Sequence, residues 1–330
     1  MERFVFVAAI VVASIFALGA IFGHPMETGW GFRFNGDGAR RPAELVELSP
    51  ARIPAQAYQA GSIRLRYVAA RVVVTPEDRT DISIEIDNPG SVPTPELSLE
   101  RGRLTVDGRL RGRIGNCTED GAELRGYGFV SHDQMPLITI RTPRDVDLNF
   151  TGAGRAEIGE THDLALDVNG CARANAGEAM GDASVDLNGS GEVVVAGARD
   201  ASIDLNGSGR VRFEAVRGAA NAEVNGSGGV IIATLTGSLT VENKGSGSLE
   251  VLAGAVTEAD IELFGSGQVT LAAPTQRLVV SIFGSGDVNA PVPVGEVEAE
   301  IFGSGDVRVL SVSGSVRQEV RGSGEVRVGR

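Results

Sequence analysis

Acidic side chains recur in this chain at a near-constant interval, and they are the first residues whose types and spacing could do chemistry. Asp167, Asp186, Asp204, Glu223, Glu242, Glu262, Glu300 and Glu319 form one evenly spaced series, with Ser281 filling its one gap and Asn149 preceding it. Such a column could hold divalent cations or a basic partner. Stacked about 4.8 Å apart in water, two unit charges repel by roughly 0.9 kcal/mol before salt screening. The plainer reading is a solvated face, partly offset by basic neighbours such as Arg212 and Arg308.

Close behind each acid runs a second column: Asn169, Asn188, Asn206 and Asn225, then Lys244, then Phe264, Phe283 and Phe302. Strict alternation exposes it, and the strip around the three phenylalanines, with Glu262, Glu300, Asp287 and Asp306 at its sides, is then a candidate surface for a linear glycan or a protein. A corner turn would instead bring the column inward, where amides bond coil to coil and rings stack. Alternation alone leaves both open.

Other chemistries fail on spacing. The glycine-rich turns lack the Lys-Ser/Thr ending and the strand-to-helix context of a phosphate loop. Calcium-binding rolls need a period of about nine, and only Asp287 and Asp306 follow the turn as Gly-Ser-Gly-Asp. His24, His132 and His162 are far apart without paired Cys or His, so no metal site and no cofactor is expected. The eight turn serines are equivalents of one another, and none stands out as a nucleophile. Cys117 and Cys171 could form a disulfide in an oxidising compartment, pinning a glycine-rich loop to an early coil.

What must position these columns is the repeat itself. Its turn begins at Gly152, Gly170, Gly189, Gly207, Gly226, Gly245, Gly265, Gly284, Gly303 and Gly322, mostly as Gly-Ser-Gly. At the second and fourth positions before each glycine the side chains are apolar in nine of ten copies, and between them mostly polar. That is the period-two pattern of a half-buried strand. Valine or leucine at the fourth position past most turns starts a second strand. Columns that superimpose coil on coil require winding in one direction, so the pattern predicts a single-domain parallel β-helix of about 19-residue coils. The paired glycines predict a tight corner in which one or both take a positive φ.

The 45 glycines and single tryptophan suit such a solenoid better than a globular enzyme, and the net charge of −13 opposes nucleic-acid binding. Phe4 to Phe22 is an unbroken apolar run, long enough to span a bilayer as a helix, so residues 1–24 read as a membrane anchor or signal peptide. Arg33, Arg40 and Arg41 on its far side, against Arg3 on the near side, leave its orientation undecided. Residues 25–59, rich in Pro, Ala, Gly and Arg, read as a linker. Residues 60–330 read as the β-helix domain, with 60–144 as irregular first coils and cap, including a long loop over 107–134, and 145–330 as ten repeats.

Segments such as VDLNFTGAGRAEI (146–158), VDLNGSGEVVV (185–195), IDLNGSGRVRF (203–213) and IFGSGDVRV (301–309), opened by ARVVVTPEDRTDISIEI (70–86), resemble the bacterial family called the putative auto-transporter adhesin head GIN domain. The resemblance covers roughly residues 60 to 330 and implies a right-handed parallel β-helix on an exported or envelope-attached protein. It carries over no catalytic residue. No run of amphipathic strands follows the coils here, so secretion through a barrel of its own is not expected.

The expected function is a non-enzymatic cell-envelope module, periplasmic or extracellular, binding glycan or protein through flat ladder faces. An envelope-stress accessory role is the alternative. A β-helix polysaccharide lyase or hydrolase is disfavoured, because the inter-coil loops are too short to build a cleft.

Overall fold

A computed structural model describes residues 48–329, and Val46–Arg330 forms one compact unit. The expected membrane anchor or signal peptide, and the linker as far as residue 47, lie outside the described residues. No described helix is long and apolar enough to cross a membrane.

Alternating apolar residues make the walls of a β-solenoid of about ten turns. In one wall Leu166, Val185, Ile203, Ala222 and Val241 stand in parallel register, and the column continues through Ile261, Val280 and Ala299. All of them are buried in the lumen. In the wall after the turn Val193, Val211, Val230, Leu249, Val269, Val288 and Val307 do the same. Each such side chain stabilises the fold by about 1.5–3 kcal/mol relative to exposure. The polar odd one out is Asn243, fully buried in a column otherwise apolar. Its Nδ2 donates to the Gly247 carbonyl at 2.8 Å and its Oδ1 accepts from the Gly245 amide at 3.0 Å, so the burial leaves neither end of the amide unpaired.

The positive-φ expectation for the corner holds in the early coils and again in the last, where Gly322 takes φ of +151°, and fails in the coils between. Gly170, Gly189, Gly207 and Gly226 take φ of +109°, +134°, +131° and +143°, whereas their turn partners Gly191, Gly209 and Gly228 do not enter the left-handed region. In the coils of Gly265, Gly284 and Gly303 neither glycine does. Closeness fixes glycine there instead: a Cβ on Gly265 would stand 2.2 Å from the Gly245 carbonyl oxygen of the coil beneath.

Before the repeats the chain departs from the sequence reading in two places. The linker expected to reach Gln59 gives way at the strand Ala51–Tyr58, which pairs antiparallel with Ile82–Asn88, itself antiparallel to Leu137–Thr142. With Glu96–Glu100, antiparallel to Arg103–Asp107, these strands close the first end of the stack. The loop expected over 107–134 is instead folded. Ile114–Cys117, Gly121–Leu124 and Gly128–Ser131 form a separate antiparallel sheet, an arm whose Leu110, Leu124, Val130 and Met135 share a small second core with Ala69 and Ala153 of the coils.

Candidate functional site

The Phe column lies at the corner, immediately before the turn, so its direction depends on how early the chain bends. Alternation carries through to it and sends it outward, while Leu263, Ile282 and Ile301 go in. Phe264 and Phe283 are 43% and 45% exposed. Their rings stack nearly parallel, with centroids 5.2 Å apart, and Phe283 stacks on Phe302 at 5.4 Å. The Arg321 guanidinium lies 5.3 Å from the centroid of Phe302. Each inner face is thus covered by the next ring or by a cation. The ladder presents ring edges to solvent, which suits an apolar ridge against a partner better than the ring-face platform a sugar stacks on.

The flanking acids divide into two kinds. Glu262 and Glu300 are exposed, aligned through Ser281, and bear no ion pair among the described residues. Asp287 and Asp306 are engaged by the fold: Asp287 accepts the Asp306 amide at 2.8 Å and Asp306 accepts the Glu325 amide at 3.1 Å. Arg308 adds contacts of 2.6 Å to Asp306 and 3.7 Å to Asp287. These two carboxylates tie coil to coil.

The Asn stretch of the same column is mostly self-satisfied. Asn206 donates to Asp204 at 2.7 Å and Asn225 to Glu223 at 2.9 Å, and Asn169 donates to Asp167. Asp186 has no such donor, and partial burial, then Asp204 and Asp167, push its carboxyl above the usual range. Lys244 ends the stretch, 2.8 Å from Glu223 and 2.9 Å from Glu242, which push its ammonium up to about 12.

Elsewhere, Cys117 and Cys171 are joined in a disulfide with Cα atoms 6.2 Å apart, fastening the arm to a turn position that serine holds in later coils. Beside it a groove of about 590 Å³ runs between the arm and the turns, walled by Tyr67, Leu110 and Ile114 and lined by no carboxylate, histidine or lysine. His162, which looked scattered in sequence, stands 2.9 Å from Asp145 and 3.4 Å from Asp163, all three exposed. The signal was present in the spacing of the two aspartates, which lie one repeat apart.

The family described as "Putative auto-transporter adhesin, head GIN domain" matches residues 69–255 and 233–329. Crystal structures similar to the chain include one named a putative adhesin from Parabacteroides distasonis, at 14% identity over 86% of this chain and 100% of that one, with a TM-score of 0.45. A second, named a putative adhesin from Parabacteroides merdae, is 18% identical over 86% and 97%, with a TM-score of 0.42. A third, named a putative lipid binding protein, also from P. distasonis, is 15% identical over 87% and 100%, with a TM-score of 0.42. No curated protein matches.

Proposed function

Because the chain belongs to the auto-transporter adhesin head GIN domain family, whose match runs from residue 69 to 329, we propose that it is a non-enzymatic, exported cell-envelope module that adheres to a protein partner through the Phe264–Phe283–Phe302 ridge. The observation that carries this reading is a row of outward-facing aromatic rings, continuing a column whose Asn206 and Asn225 are satisfied internally. Exposed aromatics of this kind are costly to leave bare and are favoured at interface centres. Glu262 and Glu300, without ion pairs beside the ridge, favour a partner with basic residues flanking its apolar contact. A linear glycan is the second reading, supported by ring spacings of 5.2 and 5.4 Å, close to one sugar unit.

Retention of the purified protein on intact bacterial cells, on protease-treated cells and on purified envelope polysaccharides, with and without millimolar calcium, tests this. Intact cells should retain it without a calcium requirement, and protease treatment should abolish retention. Phe283→Ala should reduce retention at least about ten-fold, as loss of an interface aromatic does. Retention on purified polysaccharide would move the partner to a glycan. An alanine variant retained like the parent would remove the ridge as the contact surface.

A further inference from the structure

Charge is divided unevenly along the solenoid. Residues 51–144 hold 13 arginines and no lysine against 12 Asp and Glu, a net of +1, whereas residues 145–330 hold 13 basic side chains against 26 acidic ones, a net of −13. Part of the basic share gathers on the outward face of the first rung. Ser62–Pro76 runs parallel to Arg103–Asp107, with Ser62 opposite Arg103 and Arg64 opposite Thr105. Glu96–Glu100 completes the hairpin, turning at Arg101 with φ of +49°.

Arg64, Arg66, Arg101 and Arg103 line a groove of about 570 Å³ there, with Glu100 at its side. Asp107 neutralises Arg66 at 2.5 Å. Arg64, Arg101 and Arg103 have no carboxylate at ion-pair distance among the described residues, and Arg103 makes a 3.3 Å hydrogen bond to the Ser62 hydroxyl. Three guanidinium groups against one carboxylate, at one end of an acidic molecule, form a site for anions. On the opposite face of the outermost strand, in register with the buried Leu104, Leu99 is 45% exposed.

We infer that the capped edge, with the Arg64–Arg101–Arg103 groove on its outward face and Leu99 on the other face of the same edge strand, is a docking surface for anionic phospholipid headgroups, on which the solenoid stands by its capped end. An edge strand met end-on presents the arginines from one face and the bare leucine from the other, so a bilayer can meet both with phosphate and acyl chain, where a soluble polyanion would use only the arginines. The chain enters the folded unit at this same end, through Ala51, downstream of the apolar run Phe4 to Phe22. The tether between them, roughly 30 residues, spans at most about 100 Å, so the groove stays within reach of any bilayer the run occupies. An anionic bilayer also repels the acidic coils, so attraction and repulsion both turn the capped end down.

Val46–Arg330 closes its own core as one unit, so this part is tested alone, on phosphatidylcholine vesicles with and without phosphatidylglycerol. Binding should require phosphatidylglycerol, disappear at high salt, and weaken roughly five-fold per arginine removed, on the order of 100-fold for Arg64→Gln, Arg101→Gln and Arg103→Gln together. Leu99→Ser should weaken vesicle binding several-fold and leave binding of dextran sulfate unchanged. Equal binding to neutral vesicles, or a triple variant that binds like the parent, would overturn the inference. So would binding of dextran sulfate or free phosphate without binding of vesicles, which would make the groove a site for soluble anions. The single variant Arg101→Gln, at an exposed hairpin turn, serves should the triple variant melt early.

Discussion

The coils of Asn188, Asn206 and Asn225 and the coils of Phe264, Phe283 and Phe302 occupy the same column of the same solenoid, yet they end in different states. Both present the residue before the turn outward. In the first group the amide can turn back onto the acid of its own strand, as Asn206 does to Asp204 and Asn225 to Glu223, so that at those two coils the surface is closed to itself. In the second the rings stack on one another, and their edges remain in water. The backbone differs too: the first glycine is left-handed at Gly189, Gly207 and Gly226 but not at Gly265, Gly284 and Gly303. A repeat fixes where a side chain points, while the residue placed there decides whether the position is structural or available for contact.

The largest expected effect separates inward from outward phenylalanines. Phe213 is fully buried in the lumen, and Phe213→Ala should cost about 3–5 kcal/mol, as core aromatic truncations do. Phe283→Ala removes stacking on two neighbours and should cost only about 0.5–1.5 kcal/mol. Denaturant titrations of both variants measure the gap. Equal losses would place the ladder inside after all.

Much of the solenoid is legible in sequence because its physics is local and repeated. Leu187 and Leu205 face the lumen for the reason that Asp186 and Asp204 face water, and the near-constant repeat length then forces the coils into register. The side taken by Phe264 is not settled in sequence, since it sits next to the corner, where an early bend would have overridden the alternation that in fact carries through to it. The arm was hidden for a different reason: Gly112, Gly115, Gly121, Gly126 and Gly128 read as loop punctuation, whereas pairing with a small core of Leu124 and Val130 makes strands of the residues between them. Ala51–Tyr58 has the composition of a linker, and only antiparallel pairing to Ile82–Asn88 makes it a strand. The basic groove escaped too, because Arg64 and Arg103 are distant in sequence and meet only through parallel pairing.

A second, smaller effect tests what holds the corner in the Phe coils. Gly265→Val brings a Cβ against the Gly245 carbonyl oxygen, 2.2 Å away, and should cost about 1–3 kcal/mol, while exposed Gln268→Ala should stay within about 0.5 kcal/mol. Because Gly265 lies outside the left-handed region, Gly265→Ala should already show most of the loss. Thermal melts of the three variants check this, and a harmless alanine would mean that the coils are looser than the stack implies.

The smallest effect concerns the acids that precede the column, where the two stretches also differ. Asp167, Asp186 and Asp204 are in direct register, whereas Ser281 separates Glu262 from Glu300. Partial burial and then the two flanking aspartates raise the Asp186 carboxyl, so the folded chain holds that proton to a higher pH than the unfolded chain does. Stability is therefore lost as pH rises from the unfolded value, about 3.9, through the raised folded value, and the loss persists at neutral pH. Asp186→Asn should accordingly raise the melting temperature at neutral pH by about 1–2 °C, and the gain should shrink to nothing below the unfolded value. Ser281→Asp, which rebuilds three acids in a row beneath the phenylalanines, should shift melting the opposite way at neutral pH and by less in high salt. Paired melting curves across this pH range decide it, and a gain from Asp186→Asn that ignored pH would mean the amide acts by hydrogen bonding, as Asn206 does on Asp204, and not by removing charge.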